Sequence, residues 1–372
     1  PMALYLLKPI LWNTRNYLAP SGVRAAPKSF PGQYGFGHEE WNNSPRLSFA
    51  EGGQRYRAFH TESVKNAPVL EHAGQTFVFM TASHDGVQQL VGIAGHAQYL
   101  GDPQDVEERS RLAKLLKLDA LGKSAWDQPL VRKRFNSKEA SFRKVWDRDI
   151  SWIPNWICPE EFYWWLDEPV TLKALQITGK KALPKMFSGY MPLELSSAEV
   201  IMSMIPGEKR GPAWGRLVDA MRIAPTESIP SEAIGHGPGK STTRLSLAQA
   251  RIGQGKYRQD LLQKWGHACA VTGLTSSSVL RASHVKPWNR SSDTERLDPE
   301  NGLLLSANLD ALFDVGLISF ADDGQMLIAK ELEAVERARL GLPGKLRIQP
   351  TMALRRYLKH HRTQLFAKYD AH

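Results

Sequence analysis

Three groups of side chains in the last third of the chain have the chemistry to hydrolyse a phosphodiester bond. His284 lies beside a proline in the apolar motif SHVKP, Asn301 and Gly302 precede an apolar run, and Asp310 and Asp314 follow at i and i+4 on a predicted short helix. A neutral imidazole can take a proton from water near neutral pH. Two carboxylates one helical turn apart project from one face and can share a hard divalent ion. The residue types therefore predict metal-assisted cleavage of a phosphodiester.

Each of these residues also has a purely structural interpretation. A histidine beside an apolar strand often belongs to the core, and an Asn–Gly pair often only makes a turn. Two acids at i and i+4 often form a solvated helix face, and Asp310 could instead cap its helix. We expect Asn301 to hold the loop between the two strands by side-chain to backbone hydrogen bonds.

Four motifs, in order and at the spacing of the family, resemble the HNH endonucleases across residues 247–329. The segment YRQDLLQKWGHACAVTG is similar to the leading helix and first turn of that family, ASHVKPW to its first strand, ENGLLL to the turn into its second strand, and DALFD to its metal-binding helix. The resemblance implies a two-stranded ribbon and one helix around a single metal. It implies catalytic roles for His284, as general base, and for Asn301, with Asp310 and Asp314 as metal ligands.

Departures from the family pattern bear on the metal. Ser283 stands where the family often has an acid or a histidine, and Asp310 and Asp314 stand where it often has histidine. Such an all-oxygen ligand set favours Mg²⁺ or Mn²⁺, with water and phosphate completing the shell. Cys269 has Thr272 where a CxxC partner would stand. We therefore expect no structural zinc and expect Cys269 to be a small buried hydrophobe.

Length and charge limit the kind of protein. At 372 residues the chain exceeds the usual size of one domain. The formal charge of +10 favours a polyanionic partner, although a merely basic enzyme remains an alternative. The two cysteines are too few for a disulfide framework. The apolar stretch near the N-terminus is too short for a signal peptide or a membrane span, which predicts a cytoplasmic protein with no membrane partner.

Composition and periodicity predict an α+β protein: an N-terminal mixed-sheet domain over residues 1–205, a linker over 206–245 and the nuclease domain over 246–372. Strands are predicted at 3–7, 76–81, 90–97, 146–156, 316–320 and 325–329, helices at 106–118, 161–166, 196–204, 214–222, 247–265 and 352–368, and a long irregular loop at 23–45.

The N-terminal half resembles the PUA-like folds of the EVE type in two segments, FVFMTASHDGVQQLVGIAGHA and PKMFSGYMPLELSSAEV. Such domains are small curved sheets with aromatic pockets for flipped modified bases, and they occur fused to HNH nucleases. The resemblance implies a reader of 5-methylcytosine or 5-hydroxymethylcytosine. Most tryptophans are expected in the core, but Trp12, Tyr34 and Trp41 lie in Asn/Gly/Pro-rich segments that cannot all be buried. We take these three as candidates for the pocket.

The sequence thus predicts a DNA endonuclease that acts on double-stranded DNA, as a restriction enzyme directed by modified cytosine. A nuclease for unmodified or structured DNA is an alternative, as is a nucleic-acid-binding protein that no longer cleaves. Ser283 favours the last of these, and the intact His, Asn and Asp pair opposes it. A homodimer is among the assemblies left open. The candidates for phosphate contacts are Arg15, Arg24, Lys28, Arg46, Lys286, Arg355 and Arg356.

Overall fold

The structure is a computed structural model that describes residues 3–23, 25–62, 64, 66–185, 189–222 and 243–368. The chain divides into two compact units, Pro1–Arg222 and Ile223–His372. Both units mix helices and strands, as the expected α+β class requires.

The first unit is built on one mixed sheet of eight strands. These are β1 Leu4–Pro9, β2 Ser48–Glu51, β3 Gln54–Phe59, β4 Thr76–His84, β5 Val87–Tyr99, β6 Trp156–Pro159, β7 Tyr163–Thr171 and β8 Met191–Leu193. Their order is β2-β3-β6-β5-β4-β1-β8, and β7 also pairs with β5. The pair β1–β4 is parallel, and the other pairs are antiparallel.

The hairpin of β4 and β5 forms the centre of this sheet, as its sequence predicts. Asp85 and Gly86 link the strands with φ values of 48° and 79°, which suit the tight turn of a hairpin. Strand β5 has 13 residues. Its length lets one edge pair with β7 near Ile93 and with β6 near Gln98.

The described part of the first unit also contains helices. They are α1 Phe30–Tyr34, α2 Val106–Leu115, α3 Leu121–Trp126, α4 Pro129–Arg134, α5 Glu139–Asp149, α6 Ala174–Thr178, α7 Leu195–Met204 and α8 Pro212–Arg222. The strand predicted at 146–156 is wrong, because α5 continues through Trp146, whose side chain is buried together with that of Phe142 at i and i+4. The loop predicted at 23–45 contains α1.

The α-helix predicted at 161–166 is also wrong, since Glu160–Phe162 form a short 3₁₀ helix and β7 begins at Tyr163. Aromatic residues favour strands when a sheet edge is available, and β5 offers such an edge. Trp165 lies opposite Gly92, where an added Cβ would come within 2.5 Å of the Trp165 ring. The glycine thus leaves room for the tryptophan, a relationship that local sequence patterns do not reveal.

Helix α8 belongs to the core of the first unit, although the sequence places the domain boundary at residue 205. Leu217 and Met221 are buried in that core, and the Tyr5 hydroxyl donates a 2.7 Å hydrogen bond to the Met221 carbonyl. The first unit therefore continues to Arg222. Residues 223–242, half of the expected linker, lie outside the described residues.

The second unit contains the predicted ribbon and helix. Its elements are α9 Thr243–Lys264, β9 Leu280–His284, α10 Asp293–Leu297, β10 Gly302–Ser306, α11 Ala307–Asp314, β11 Ile318–Phe320, β12 Met326–Ile328, α12 Ala334–Arg339 and α13 Met352–Gln364. Strands β9 and β10 pair antiparallel, as do β11 and β12. The chain passes from β10 directly into α11.

A single core holds these elements together. Leu303, Leu304 and Leu305 are all buried in it, so both faces of β10 are covered. Cys269 lies in the same core and is completely buried. Within the described residues, no helix has both the length and the apolar character that crossing a lipid bilayer requires.

Candidate functional site

The ribbon brings His284 next to the segment that begins with Asn301. His284 lies opposite Gly302 in the register of β9 and β10. Gly302 is the first residue of the strand and is extended, with φ −148°, so it is not a turn glycine. An added Cβ would lie 2.3 Å from the Tyr257 hydroxyl oxygen. The glycine is required because Tyr257 of α9 approaches the backbone closely.

Three contacts fix the imidazole of His284. Tyr257 stacks on it, with ring centroids 4.0 Å apart and planes 8° from parallel. Trp288 meets it edge-on, at 5.3 Å and 82°. The Nε2 atom lies 3.0 Å from the Arg296 carbonyl oxygen. Because a carbonyl only accepts, Nε2 carries the hydrogen, and the neutral ring has its lone pair on Nδ1.

The surroundings keep this ring neutral. Burial lowers the pKa of His284 to about 4, the Arg296 carbonyl opposes that shift, and the Arg296 guanidinium adds to it. At neutral pH the imidazole is therefore a proton acceptor. A phosphate bound nearby would favour the charged ring and raise this pKa, so the base would be stronger with substrate than without it.

Asn301 fastens the loop between β9 and β10, which includes α10 and its Arg296 carbonyl. Its side chain is completely buried. Nδ2 donates to the Glu295 carbonyl at 3.0 Å, and Oδ1 accepts from the Lys286 amide at 2.8 Å. These contacts favour a positioning role for Asn301, in which it acts on His284 through the loop.

Helix α11 supplies the two carboxylates. Burial raises the pKa of Asp310, and the Ser283 hydroxyl and the charge of Arg281 act against that shift. Asp314 is exposed as a residue, but burial of its carboxylate raises its pKa to about 7, and the charge of Asp310 adds to that shift. Ser283 lowers the Asp314 pKa in turn. The two carboxylates and the Ser283 hydroxyl are thus close neighbours.

This arrangement fits a divalent cation. A cation would relieve the repulsion between Asp310 and Asp314, which the raised pKa of Asp314 records. The Ser283 hydroxyl oxygen is buried and forms no well-aligned hydrogen bond with any described residue, so it offers a further oxygen. In the described part of the chain, no third His, Cys, Asp or Glu joins the pair within ligand distance. Water and phosphate oxygens would have to complete the coordination.

The candidate phosphate contacts differ in their surroundings. Lys286 Nζ forms an ion pair with Glu295, 2.7 Å from its Oε2. This ion pair holds the loop between β9 and β10 together, and the Lys286 charge is therefore already paired within the protein. Arg355 Nε donates to the Pro350 carbonyl at 3.0 Å. The exposed candidates are Arg15, Lys28, Arg46 and Arg356, and Arg24 lies outside the described residues.

The expectation of accessible rings is wrong for Trp41. Its side chain is completely buried, packs edge-on against Trp146, and donates from Nε1 to the Ser124 hydroxyl at 3.1 Å. Tyr34 is half-buried and stacks on Phe135.

Trp12 is half-buried and stacks on His84, with centroids 5.0 Å apart and planes 4° from parallel. Its Nε1 is buried and has no hydrogen-bond partner among the described residues. Trp12 is thus better placed than Trp41 to meet a ligand.

Sequence reasoning assigned no role to Tyr257, Trp288 or Arg296, which together orient His284. Arg296 acts through its main-chain carbonyl, so its residue type carries no signal. The one available signal for Tyr257 was Gly302, whose missing side chain marks a close approach of another group.

Comparison with known families supports the assignment for this part of the chain. Residues 269–321 match the sequence model of a family described as HNH endonuclease. The match contains β9, β10 and α11, and so all four of the predicted catalytic and metal-binding residues. It supports nuclease activity on DNA with a divalent metal for the C-terminal part. No curated protein matches the chain.

Proposed function

We propose that the protein is a metal-dependent DNA endonuclease and that its second unit hydrolyses the phosphodiester bond. One observation carries the proposal: the His284 ring is held on three sides, with Nε2 at the Arg296 carbonyl, which leaves Nδ1 to accept a proton. Burial lowers the pKa of His284 and so favours the neutral ring. The acidic pair on the helix after the ribbon and the HNH match support it.

In this mechanism His284 Nδ1 accepts the proton of the attacking water. The ring then carries a positive charge, and its Nε2–H continues to donate to the Arg296 carbonyl, whose dipole stabilises that charge. Tyr257 and Asn301 keep the ring and the loop in place. Asp310 and Asp314 would hold the divalent ion, Mg²⁺ or Mn²⁺. When bound, the ion would neutralise charge on the scissile phosphate and stabilise the leaving oxygen.

The first unit is proposed to select double-stranded DNA that contains 5-methylcytosine or 5-hydroxymethylcytosine. Trp12 supports this role, because its indole is only half-buried and a flipped base could stack on the exposed part of the ring. The formal charge of +10 and the exposed Arg15, Lys28 and Arg46 favour a DNA partner. Cutting both strands at one locus would need two catalytic units, which a homodimer would supply.

Digestion of one plasmid in unmodified, cytosine-methylated and hydroxymethylated forms tests both parts of the proposal. With Mg²⁺ or Mn²⁺ we expect cleavage of a modified form and none in EDTA. Equal cleavage of all three forms would remove the modification reader and leave the nuclease. No cleavage with either metal would favour a protein that binds nucleic acid without cutting it. Sedimentation of the active protein tests the homodimer.

A further inference from the structure

The first unit contains a group of ligand-type side chains that the proposed nuclease chemistry does not use. One ligand atom from each of Glu39, His60 and Glu62 lies within 4.8 Å of those from the other two. Glu39 is 1% exposed and His60 4%, and Glu62 is partly buried. Glu39 comes from the turn His38–Trp41, whereas the other two follow β3, so two separate segments of the chain meet here.

His60 is held in the manner of a metal-binding histidine. Its Nδ1 lies 2.7 Å from the Trp152 carbonyl oxygen, so Nδ1 carries the hydrogen and donates it. The lone pair is then on Nε2, which is buried and has no hydrogen-bond partner among the residues that the structure describes. A histidine that binds a metal through one nitrogen usually donates its other N–H to such a carbonyl or carboxylate.

Glu39, like His60, has one polar atom that is hydrogen-bonded and one that has no hydrogen-bond partner among the described residues. Its Oε1 accepts a 3.1 Å hydrogen bond from the Leu11 amide. Its Oε2 is buried and, within the described ranges, has no hydrogen-bond partner. Buried acceptors without partners are costly and uncommon. This cluster contains two such acceptors, His60 Nε2 and Glu39 Oε2, and a hydrogen bond fixes the other polar atom of each side chain. The pair indicates a ligand that accepts electron pairs.

The charge of the cluster is consistent with a cation. The carboxylates of Glu39 and Glu62 both act on Lys8, the nearby cation on β1. The Lys8 Nζ donates to the Gly189 carbonyl at 3.0 Å. Burial, and after it the charge of Glu62, raises the pKa of Glu39 to about 7, and a cation between the two carboxyl groups would relieve this repulsion.

We propose that Glu39, His60 and Glu62 bind a divalent transition-metal ion in the first unit. Imidazole nitrogen together with carboxylate oxygens favours Mn²⁺, Fe²⁺ or Zn²⁺ over Mg²⁺. The ion links the turn at His38–Trp41 to the chain after β3, and so stabilises the first unit. This site contains no cysteine and differs in its ligands from the Asp310–Asp314 site.

The test measures metal content on the full-length chain, independently of cleavage. The background variant is Asp310→Ala/Asp314→Ala, so that any remaining metal belongs to another site. The protein is stripped with a chelator, reloaded with Mn²⁺ or Zn²⁺, gel-filtered and analysed by elemental mass spectrometry. We expect about one equivalent of metal per chain and a higher melting temperature after reloading.

Glu62→Gln and His60→Gln in this background should lose both the equivalent and the shift in melting temperature. Glu62 is partly exposed, so the Glu62→Gln variant should fold even if His60→Gln does not, and circular dichroism checks this. The matched control is His96→Gln, because His96 Nδ1 also lies near a carbonyl, 3.0 Å from that of Gly74, without belonging to the cluster. This control should keep the metal.

Two results would overturn the proposal. One is a background variant that takes up no metal, and the other is a folded Glu62→Gln variant that keeps its full equivalent. If the cluster variants instead lose DNA affinity while no form takes up metal, the free acceptors serve a nucleobase amino group, and the metal assignment fails.

Discussion

Tyr257 and His284 lie face to face, with ring centroids 4.0 Å apart and planes 8° from parallel. The Tyr257 hydroxyl also donates to the Asn301 carbonyl at 2.8 Å. One side chain from α9 therefore fixes both the ring of the proposed base and the start of β10. The orientation of the base depends on a helix that lies outside the ribbon.

The two functions of Tyr257 can be separated by substitution. Tyr257→Phe keeps the stacked ring and loses the hydrogen bond, so it should lower the free energy of unfolding by about 1 kcal/mol and change the cleavage rate little. Tyr257→Leu removes the stack and should lower the rate by about 100-fold, since misplaced catalytic groups cost about that much. Single-turnover rates and thermal melts measure both effects. A wild-type rate for Tyr257→Leu would show that the stack does not position the base.

Asn301 should act through the loop and not on the substrate. Asn301→Ala leaves buried backbone groups without partners, at roughly 1–3 kcal/mol each, and frees the loop that carries the Arg296 carbonyl. We expect lower kcat, a lower melting temperature and an unchanged affinity for DNA. The control is Asn308→Ala, at an exposed asparagine of the same unit. A large loss of DNA affinity at full melting temperature would instead mean that Asn301 contacts substrate.

Because of Asp314, a rise in pH should destabilise the metal-free protein, whereas a bound divalent metal should stabilise it. Its pKa of about 7 lies above that of a carboxyl in the unfolded chain. The folded state therefore binds the proton more tightly, and stability falls as pH rises from about 4 to 7. In EDTA at pH 8, Asp314→Asn should raise the melting temperature. With Mn²⁺ present, the wild type should gain stability and the variant should not.

Thermal melts in EDTA and in Mn²⁺ measure both effects of Asp314→Asn. Asp260→Asn, which changes a carboxylate on α9, is the control and should leave the Mn²⁺ response intact. An unchanged Mn²⁺ shift in Asp314→Asn would assign this residue to the solvated face of α11.

The first unit allows a separate test of recognition. A fragment that ends at Arg222 keeps α8 and should fold alone and bind duplex DNA, whereas one that ends near residue 205 lacks part of its core. Trp12→Ala should reduce the preference for a modified base more than overall affinity, which phosphate contacts dominate. Trp41→Ala should mainly destabilise, by about 3–5 kcal/mol. The measurement is a titration of the fragment against matched modified and unmodified duplexes at fixed salt. Equal affinities for the two duplexes would exclude the modification reader.

The ribbon and helix of the second unit could be predicted because their signals are local. The spacing of His284, Gly302 and Asp310 follows from two short strands and the helix that continues from the second. The contacts that orient His284 could not be predicted, because Tyr257 is distant in sequence and Arg296 contributes a carbonyl.

In the first unit, predictions failed where packing overrides local preference. The segment that begins at Tyr163 becomes β7 because β5 offers a free edge and Gly92 leaves space for Trp165. The Gly/Asn-rich segment around Trp41 suggested exposure, but the ring packs against Trp146, more than a hundred positions along the chain. The cluster of Glu39 and His60 likewise could not be predicted, because it forms only where the turn His38–Trp41 meets the chain after β3 in the folded unit.

The most direct test of the nuclease account is single-turnover cleavage of plasmid DNA by wild type and His284→Ala in Mg²⁺ and Mn²⁺. Loss of a general base lowers the rate by roughly 10²–10⁴-fold. We predict a loss in that range, with DNA affinity close to wild type and a folded protein whose melting temperature falls, because the stack on Tyr257 and the hydrogen bond to the Arg296 carbonyl are lost. His267→Ala, at an exposed histidine of the same unit, should cleave normally. Near-normal cleavage by a folded His284→Ala variant would contradict the account, because no proton acceptor would remain at that position.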